Sequence, residues 1–284
     1  MMAFLQLAVN GVLLGGFYAL LGVGMTLIFG IVGLTNLAHG EFVILGAYAS
    51  TLLSSWLGVE PILSLLVTVP LMFLFGLALQ LGLLNQVMKK GGEPALLVTF
   101  GLSIMLQDGM LLLFSADARH TVASYSLETL HLGPLDISVL NLVLFLLSAL
   151  CLLLLSLFLS KTDAGRAIRA VSDDPHAAML SGINVRRIYG LSMGVAMATA
   201  AVAGLCVGLK WTFYPSSGGG YLLIAFIVVV IGGMGSVPGT FLAGLTFGLA
   251  QVFGGANHGL LISYLLLLLM LAVRPNGLLG RKEG

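Results

Sequence analysis

The sequence predicts an all-α polytopic integral membrane protein, and three features support this fold class. Hydrophobic residues make up 59% of the 284 residues and charged residues only 8%, about a third of the roughly 25% usual in soluble domains. Apolar runs long enough to cross the hydrocarbon core recur along the whole chain. The 38 glycines are typical of closely packed membrane helices. With so few charges to cover a water-facing surface, the chain is expected to lie in lipid.

Nine apolar runs follow one another in what we expect to be a single domain covering residues 1–284. The last three are short or interrupted, so eight or nine membrane segments are predicted. The N-terminal run has neither a basic segment before it nor a clear cleavage site, and we expect it to be retained as the first span. The predicted runs lie near residues 5–30, 41–57, 62–88, 95–114, 137–160, 188–210, 221–233, 238–255 and 259–273.

Positive charges are unevenly placed along the chain. Ten of the twelve Lys and Arg residues lie in three groups, and membrane proteins concentrate such residues in cytoplasmic loops. The groups are therefore predicted to be cytoplasmic, which puts the N-terminus outside and the C-terminus in the cytoplasm. The net charge of +1 does not favour a nucleic-acid partner. The groups are Lys89 and Lys90, the segment 161–187, and Arg274, Arg281 and Lys282.

The segment 161–187 contains the start and stop signals of a short helix. Asp174 is a suitable N-cap, Pro175 suits the first helical position, and Gly182 suits the left-handed position after the last turn. A helix of two turns is too short to be stable alone in water, so it must pack against a partner or against its own chain. Its predicted apolar surface consists of Ala177, Ala178, Met179 and Leu180.

Upstream of this short helix, Arg166 and Arg169 are three residues apart and share one helical face. One interpretation is a basic anchor whose loop folds back on its own bundle. The other is a coupling loop, 161–187, whose capped helix docks in a groove of a soluble cytoplasmic partner. A simple anchor does not need a capped helix, and this favours the partner.

Glycine pairs at GxxxG spacing occur three times, and they have two interpretations. They allow helix backbones to approach closely where no hydrophobic effect drives association. Alternatively, some glycines break helices beside a translocation path. The pairs are Gly11 and Gly15, Gly204 and Gly208, and Gly244 and Gly248.

Five polar residues at membrane depth are candidates for a translocation pathway or gate, because such groups are costly in lipid. Asp108 follows Gln107 within the run 95–114, and it either faces a cavity or bonds to a neighbouring helix. Asn36, His39 and Glu41 cluster where the first span breaks. They either form a structural hinge or contact the solute, and Glu41 is expected in the first turn of the next helix, where the dipole favours a carboxylate.

No catalytic residue, metal ligand or cofactor is predicted for this chain. The two cysteines, Cys151 and Cys206, lie in apolar runs and are expected to be packing residues. The five histidines form no HxxxH pair, and no nucleophile with a matching base is present, which argues against an intramembrane enzyme. The chain also lacks the GxxxxGK[ST] loop that binds ATP phosphates.

Several ordered motifs resemble the permease subunits of the branched-chain (hydrophobic) amino acid ABC importer family. They cover nearly the whole chain, which makes the resemblance more specific than any one motif. The motifs are GLTNLAHGEFVILGAY at 33–48, LVTFGLSIMLQDGMLLLF at 97–114, TDAGRAIRAVSDDPHAAMLSGINVRRI at 162–188, GGMGSVPGTFLAGLTFGLAQ at 232–251 and VRPNGLLG at 273–280.

The resemblance implies an importer in the bacterial cytoplasmic membrane. A second, paralogous permease subunit would complete the membrane core, two ATPase subunits would bind ATP and hold the coupling helix 174–182, and an external solute-binding protein would deliver the substrate. This chain differs from many members by Ile224 in place of Lys and Gln251 in place of Glu. Urea, short amides and aromatic acids therefore stay open as substrates.

A proton-coupled secondary transporter is the alternative of a different class. In that case Asp108 or Glu41 would exchange the proton. Such a carrier would have no use for a docking helix, and an uncoupler would stop its uptake at constant ATP.

Overall fold

The computed structural model describes residues 2–89, 91–133, 135–274 and 277–280. Three of the predicted cytoplasmic charges, Lys90, Arg281 and Lys282, lie outside the described residues. The first half of the chain forms helices α1 (Met2–Val32), α2 (His39–Leu57), α3 (Leu65–Leu79), α4 (Asn85–Met88) and α5 (Gly92–Phe114), with the 3-10 helix Pro61–Ser64 before α3 and the π-helix Gln80–Leu84 after it.

The second half begins with the antiparallel strands β1 (Thr129–Leu132) and β2 (Leu135–Ser138), which pair Thr129 with Ser138 and Leu132 with Leu135. This hairpin is not predicted by the sequence, because its four-residue strands lie in a short polar loop. Six helices follow: α6 (Val139–Lys161), α7 (Asp163–Asp173), α8 (Pro175–Leu180), α9 (Val185–Lys210), α10 (Gly218–Gly232) and α11 (Val237–Val273).

The polytopic all-α fold is confirmed, and the predicted apolar runs form helices in the predicted order. By length and composition, seven helical segments in the described residues can cross a membrane, and the shorter apolar helix Asn257–Val273 follows them. The run 41–57 corresponds to α2, so each of the nine runs is helical. Gly255 interrupts α11 with φ 68°, which confirms that the last segments are discontinuous.

The core is built around α1 and α9, the two most buried of these helices. Helix α11 packs against α1, while α2 and α3 pack against α9. The glycine pairs allow these contacts: a Cβ atom placed on Gly248 would lie 2.4 Å from Gly15 N, and one on Gly204 would lie 2.3 Å from Val43 O. The close-packing interpretation of these glycines is therefore confirmed.

The bundle has two distinct ends. We call the end that carries α7 and α8 the basic end, and the end that carries the β1–β2 hairpin the hairpin end. Helix α6 runs from the hairpin end to the basic end, and α9 returns.

Two helices start inside the bundle rather than at an end. His39, at the start of α2, contacts the Leu21 carbonyl near the middle of α1 (Nε2 to O 3.1 Å), and α2 then runs to the hairpin end, where Thr51 and Thr121 share a hydrogen bond of 2.6 Å. The start of α10 lies beside the start of α2, because Gly40 and Gly218 are in backbone contact. Helix α10 continues to the basic end, where Leu278 N donates to Ile231 O.

Candidate coupling surface and mid-membrane site

The coupling loop 161–187 begins with a sharp turn between α6 and α7. Thr162 caps α7 by accepting a hydrogen bond from Gly165 N at 2.9 Å. A Cβ atom on Gly165 would lie 2.3 Å from Phe158 O, so a residue with a side chain cannot take this position without moving α6. The turn therefore packs α7 closely onto the end of α6.

The caps predicted for the short helix α8 are confirmed. The Asp174 side chain accepts hydrogen bonds from His176 N at 2.8 Å and from Ala177 N at 3.0 Å, and Pro175 occupies the first helical position. These N–H groups, first that of Ala177 and then that of His176, lower the pKa of Asp174. Gly182 has φ 85° and follows the last turn of α8, as the stop signal requires.

The orientation of α8 corrects one part of the predicted docking surface. Ala178 is only 3% exposed and packs against its own chain, whereas Met179 is 56% exposed and Leu180 is 78% exposed. On a helix of two turns only one side can pack on the bundle, and Ala178 lies on that side. The outward apolar surface of α8 is therefore formed by Met179 and Leu180, beside the exposed Ala177, and not by Ala178.

The two arginines of α7 have partners within the chain. Arg166 forms an ion pair with Asp163, and Arg169 donates to the Leu159 carbonyl in the last turn of α6. A cation at the C-terminal end of a helix interacts favourably with its free carbonyls and dipole. In this structure Arg169 therefore stabilises the junction of α6 and α7, while Arg166 stays exposed.

The coupling loop is connected to the core of the bundle at the basic end. The Ser172 hydroxyl of α7 donates to the Gly30 carbonyl of α1. Gly30 in turn contacts Gly235 in the turn between α10 and α11, since a Cβ atom on Gly30 would lie 2.6 Å from Gly235 Cα. A displacement of α7 and α8 therefore acts directly on the ends of α1, α10 and α11.

Three of the candidate pathway residues lie together at the start of α2 and are buried. Asn36 Oδ1 accepts a hydrogen bond from Ala38 N at 3.1 Å, so it satisfies a backbone group at the break, as a hinge residue would. His39 contacts the Leu21 carbonyl. Glu41 is in the first turn of α2, as predicted, and its carboxyl group lies beside Gly218 and near Ser103 of α5.

The other two candidate pathway residues, on α5, are more accessible. Gln107 lines a cavity of about 380 Å³ together with Leu111, Ala116, Tyr214, Pro215 and Ser216. Asp108 is exposed on the surface of α5 and has no hydrogen-bond partner among the described residues. Its assignment to a cavity or to a bond with a neighbouring helix stays a prediction. The structure separates Gln107 and Asp108 from the Asn36 cluster, although Ser103, one turn below Gln107, lies beside Glu41.

Residues 214–220 also belong to this region and are not predicted by the sequence. The segment Tyr214–Gly220 carries no charge, and its glycines are inconspicuous in a glycine-rich chain. The signals that could have indicated it are Pro215 and Ser217, because Pro at a first helical position with Ser nearby is typical of a helix start. In the structure Tyr214 N donates to the Ser217 hydroxyl at 3.1 Å.

The two departures from the family pattern lie outside this region. Gln251 accepts a hydrogen bond from the Tyr18 hydroxyl, and so joins α11 to α1. Ile224 is half-buried on α10, two turns beyond Gly218.

A bundle of membrane-spanning helices with a capped, outward-facing helix at one end and two helices that start at mid-depth defines a membrane transport permease. The family of permease components of branched-chain amino acid transport systems matches residues 7–273, and the chain belongs to this family. It is 32% identical to the high-affinity branched-chain amino acid transport system permease protein BraD of Pseudomonas aeruginosa, over 99% of this chain and 97% of BraD.

Three further similarities agree with this assignment or with its fold. The permease proteins LivH and LivM of Escherichia coli are 32% and 28% identical to this chain, and they cover 99% and 92% of it, over 96% and 67% of their own lengths. The structure of PsaBC from Streptococcus pneumoniae in complex with Fab superposes with a TM-score of 0.50 at 16% identity, over 96% of this chain and 92% of that chain. This last likeness supports the fold alone.

Replacing Asp174 by alanine is expected to loosen α8 without unfolding the bundle. Two backbone N–H groups lose their acceptor, and α8 has no other side-chain cap at its start. Amide hydrogen exchange over residues 176–181 should become several-fold faster, while exchange in α9 stays unchanged. Asp174→Ser is the matched control, because serine restores a cap acceptor. Equal exchange in the Ser and Ala variants would mean that the carboxylate charge, rather than the cap, holds this helix.

Proposed function

We propose that this chain is the membrane permease subunit of an ATP-driven importer for branched-chain or other hydrophobic amino acids. The observation that carries the proposal is α8, a capped helix seated on the bundle with Met179 and Leu180 turned outward. An exposed apolar pair on a rigid helix fits a groove on another protein. The family of the chain agrees with this assignment.

The partners follow from what the chain lacks and what it exposes. The sequence has no phosphate-binding loop, so ATP binds to two separate cytoplasmic ATPase subunits, and α8 docks on one of them. The relatives named LivH and LivM support a second, paralogous permease subunit. An external solute-binding protein delivers the amino acid. The basic end then faces the cytoplasm of a bacterial inner membrane, and the N-terminus lies outside.

The pathway runs along α5 and the starts of α2 and α10. A carboxylate at the lipid surface is costly, and Asp108 is exposed in this chain. Asp108 therefore faces the second permease subunit or the solute path between the two subunits. Gln107 lines the cavity beside α5, and Asn36, His39 and Glu41 form the gate next to it.

The test is leucine uptake by the complex, which is purified by an affinity tag on this chain and reconstituted in vesicles. With the cognate binding protein outside and ATP on the ATPase side, leucine should accumulate, and accumulation should continue when an uncoupler collapses the proton gradient. Vesicles with a non-hydrolysable ATP analogue are the matched control and should not accumulate leucine.

Two outcomes would contradict the proposal. If no ATPase subunit co-purifies and a proton gradient alone drives uptake, the chain is a proton-coupled carrier. If only urea, short amides or aromatic acids stimulate ATP hydrolysis, the importer class stands and the substrate assignment fails.

A further inference from the structure

One oxygen of a buried carboxyl group at mid-depth has no hydrogen-bond partner among the described residues, although Ser103 lies beside this group. Glu41 is only 2% exposed, and its Oε2 atom has no hydrogen-bond partner among the described residues. Leaving a buried polar atom unpaired is costly, and more so for a charged group. In a membrane such a residue is expected to serve function. Glu41 is therefore expected to have a partner in some other state of the transport cycle.

The carboxyl group of Glu41 lies against the start of a helix. The Oε1 atom would be 2.7 Å from a Cβ atom placed on Gly218, and the helical segment that contains Gly218 runs from Pro215 to Gly232. Glu41 thus contacts Gly218 near the positive end of this segment's dipole. The backbone N–H of Ser216 lies only two residues before Gly218 in the chain. Helix starts at mid-depth in discontinuous membrane helices are suited to anionic groups.

The space next to this helix start is open. Cβ atoms placed on Gly219 or Gly220 would meet no atom within 4 Å, and both residues are exposed. One turn of α5 above Ser103, the cavity of about 380 Å³ lies between Gln107 and the segment Tyr214–Ser216. A negative group, the positive end of a helix and an open cavity are thus adjacent.

We propose that this junction of α2 and α10 binds the charged head of a zwitterionic α-amino acid during transport. The Glu41 carboxylate accepts hydrogen bonds from the ammonium group, and the backbone N–H of Ser216 at the helix start donates to the carboxylate. The apolar part of the solute then lies toward Leu111 and Ala116 in the cavity. The proposal rests on the function proposed above and adds to it the site and the chemical groups that recognise the solute.

The structure represents this site in a closed state. Gly40 and Gly218 are in backbone contact, since a Cβ atom on Gly40 would lie 1.9 Å from Gly218 O. The Glu41 carboxyl group lies next to this contact, beside Gly218. Neither glycine has a side chain that interlocks with the other, so no side chain of these two residues opposes their separation. Separation exposes Glu41 to the cavity, and contact encloses it again.

The experiment measures leucine binding and uptake for two pairs of matched variants. In each case the whole complex is purified by an affinity tag on this chain. Glu41→Gln removes the charge and keeps the shape, and Glu60→Gln makes the same change on an exposed turn. Gly219→Leu fills the open space, and Gly82→Leu makes the same change where a Cβ atom also meets nothing within 4 Å. Binding is measured without the solute-binding protein, and uptake with it.

We expect each of Glu41→Gln and Gly219→Leu to weaken leucine binding at least about ten-fold. Glu41→Gln removes the buried charge that pairs with the ammonium group, and Gly219→Leu fills the space that the solute would occupy. Both complexes should keep their second permease and ATPase subunits, and both controls should bind as the unmodified complex does. The specific readout is competition by the 2-hydroxy analogue of leucine, which lacks the ammonium group. The preference for leucine over this analogue should fall in Glu41→Gln.

The possible failures can be told apart. If the unmodified complex takes up no leucine with ATP, the proposed function fails, and this inference fails with it. If the unmodified complex transports leucine while Glu41→Gln binds it normally with the same preference, only the inference is overturned. If Gly219→Leu releases the second permease subunit, this surface is an interface between subunits and the proposed site is wrong.

Discussion

Replacing Leu180 by arginine is expected to abolish ATP-driven uptake while the chain still folds and inserts. Leu180 is the most exposed apolar residue of α8, and Met179 lies beside it. An arginine here does not disturb the bundle, because the position already faces water. On docking, its charge would be buried without a partner, which typically costs about 2 kcal/mol or more at the centre of an interface, or roughly 30-fold in affinity.

The measurement is retention of the ATPase subunits during purification, together with leucine uptake in vesicles. Leu127→Arg is the matched control: Leu127 is 96% exposed in the loop before β1, far from α8, and its variant should retain the ATPase. Ala178→Arg would be a poor test, because Ala178 is buried and the substitution would displace α8 from its own bundle. An ATPase bound normally by Leu180→Arg would refute the docking role of α8.

Replacing Gly248 by valine should prevent α11 from packing on α1. A Cβ atom at this position would lie 2.4 Å from Gly15 N and 2.5 Å from Gly11 O, so the new side chain would meet backbone atoms that cannot rotate away. Overpacking usually costs roughly 1–3 kcal/mol, and a clash between two helix backbones lies at or above the upper end of that range. The yield of folded, monodisperse protein and its thermal unfolding temperature should both fall sharply.

The control for this prediction is Gly82→Val. Here a Cβ atom meets nothing within 4 Å, so the two variants share the chemical change and differ only in what surrounds it. If both variants unfold at the same temperature, the contact between α1 and α11 is looser than the structure indicates.

Predictions that depended on local signals are confirmed. The caps of α8 at Asp174 and Gly182 are formed by residues within a few positions of each other, and their preferences do not depend on the rest of the fold. The same holds for Glu41 in the first turn of α2. The membrane segments were predictable because a hydrocarbon environment requires long apolar helices whatever their neighbours.

Predictions that depended on contacts between distant residues were incomplete or wrong. The four residues 177–180 are all small or apolar, so composition does not tell which of them faces the bundle. The exposure of Asp108 follows from the packing of α5 at the edge of the bundle, which the sequence does not indicate. The glycines of 218–220 look like the other glycines of the chain until Glu41 is placed beside them.

The sequence by itself determined that this protein is a bundle of membrane helices with a capped helix in its basic loop, because hydropathy and capping act over a few residues or one span. Only the tertiary structure decided that Ala178 turns inward, that α2 and α10 start together at mid-depth, and that Glu41 is enclosed there. The joint start of α2 and α10 and the enclosure of Glu41 come from contacts between segments more than 100 residues apart, whereas Ala178 turns inward because α8 packs against α7 and α9. Short-range sequence patterns carry no information about either kind of contact.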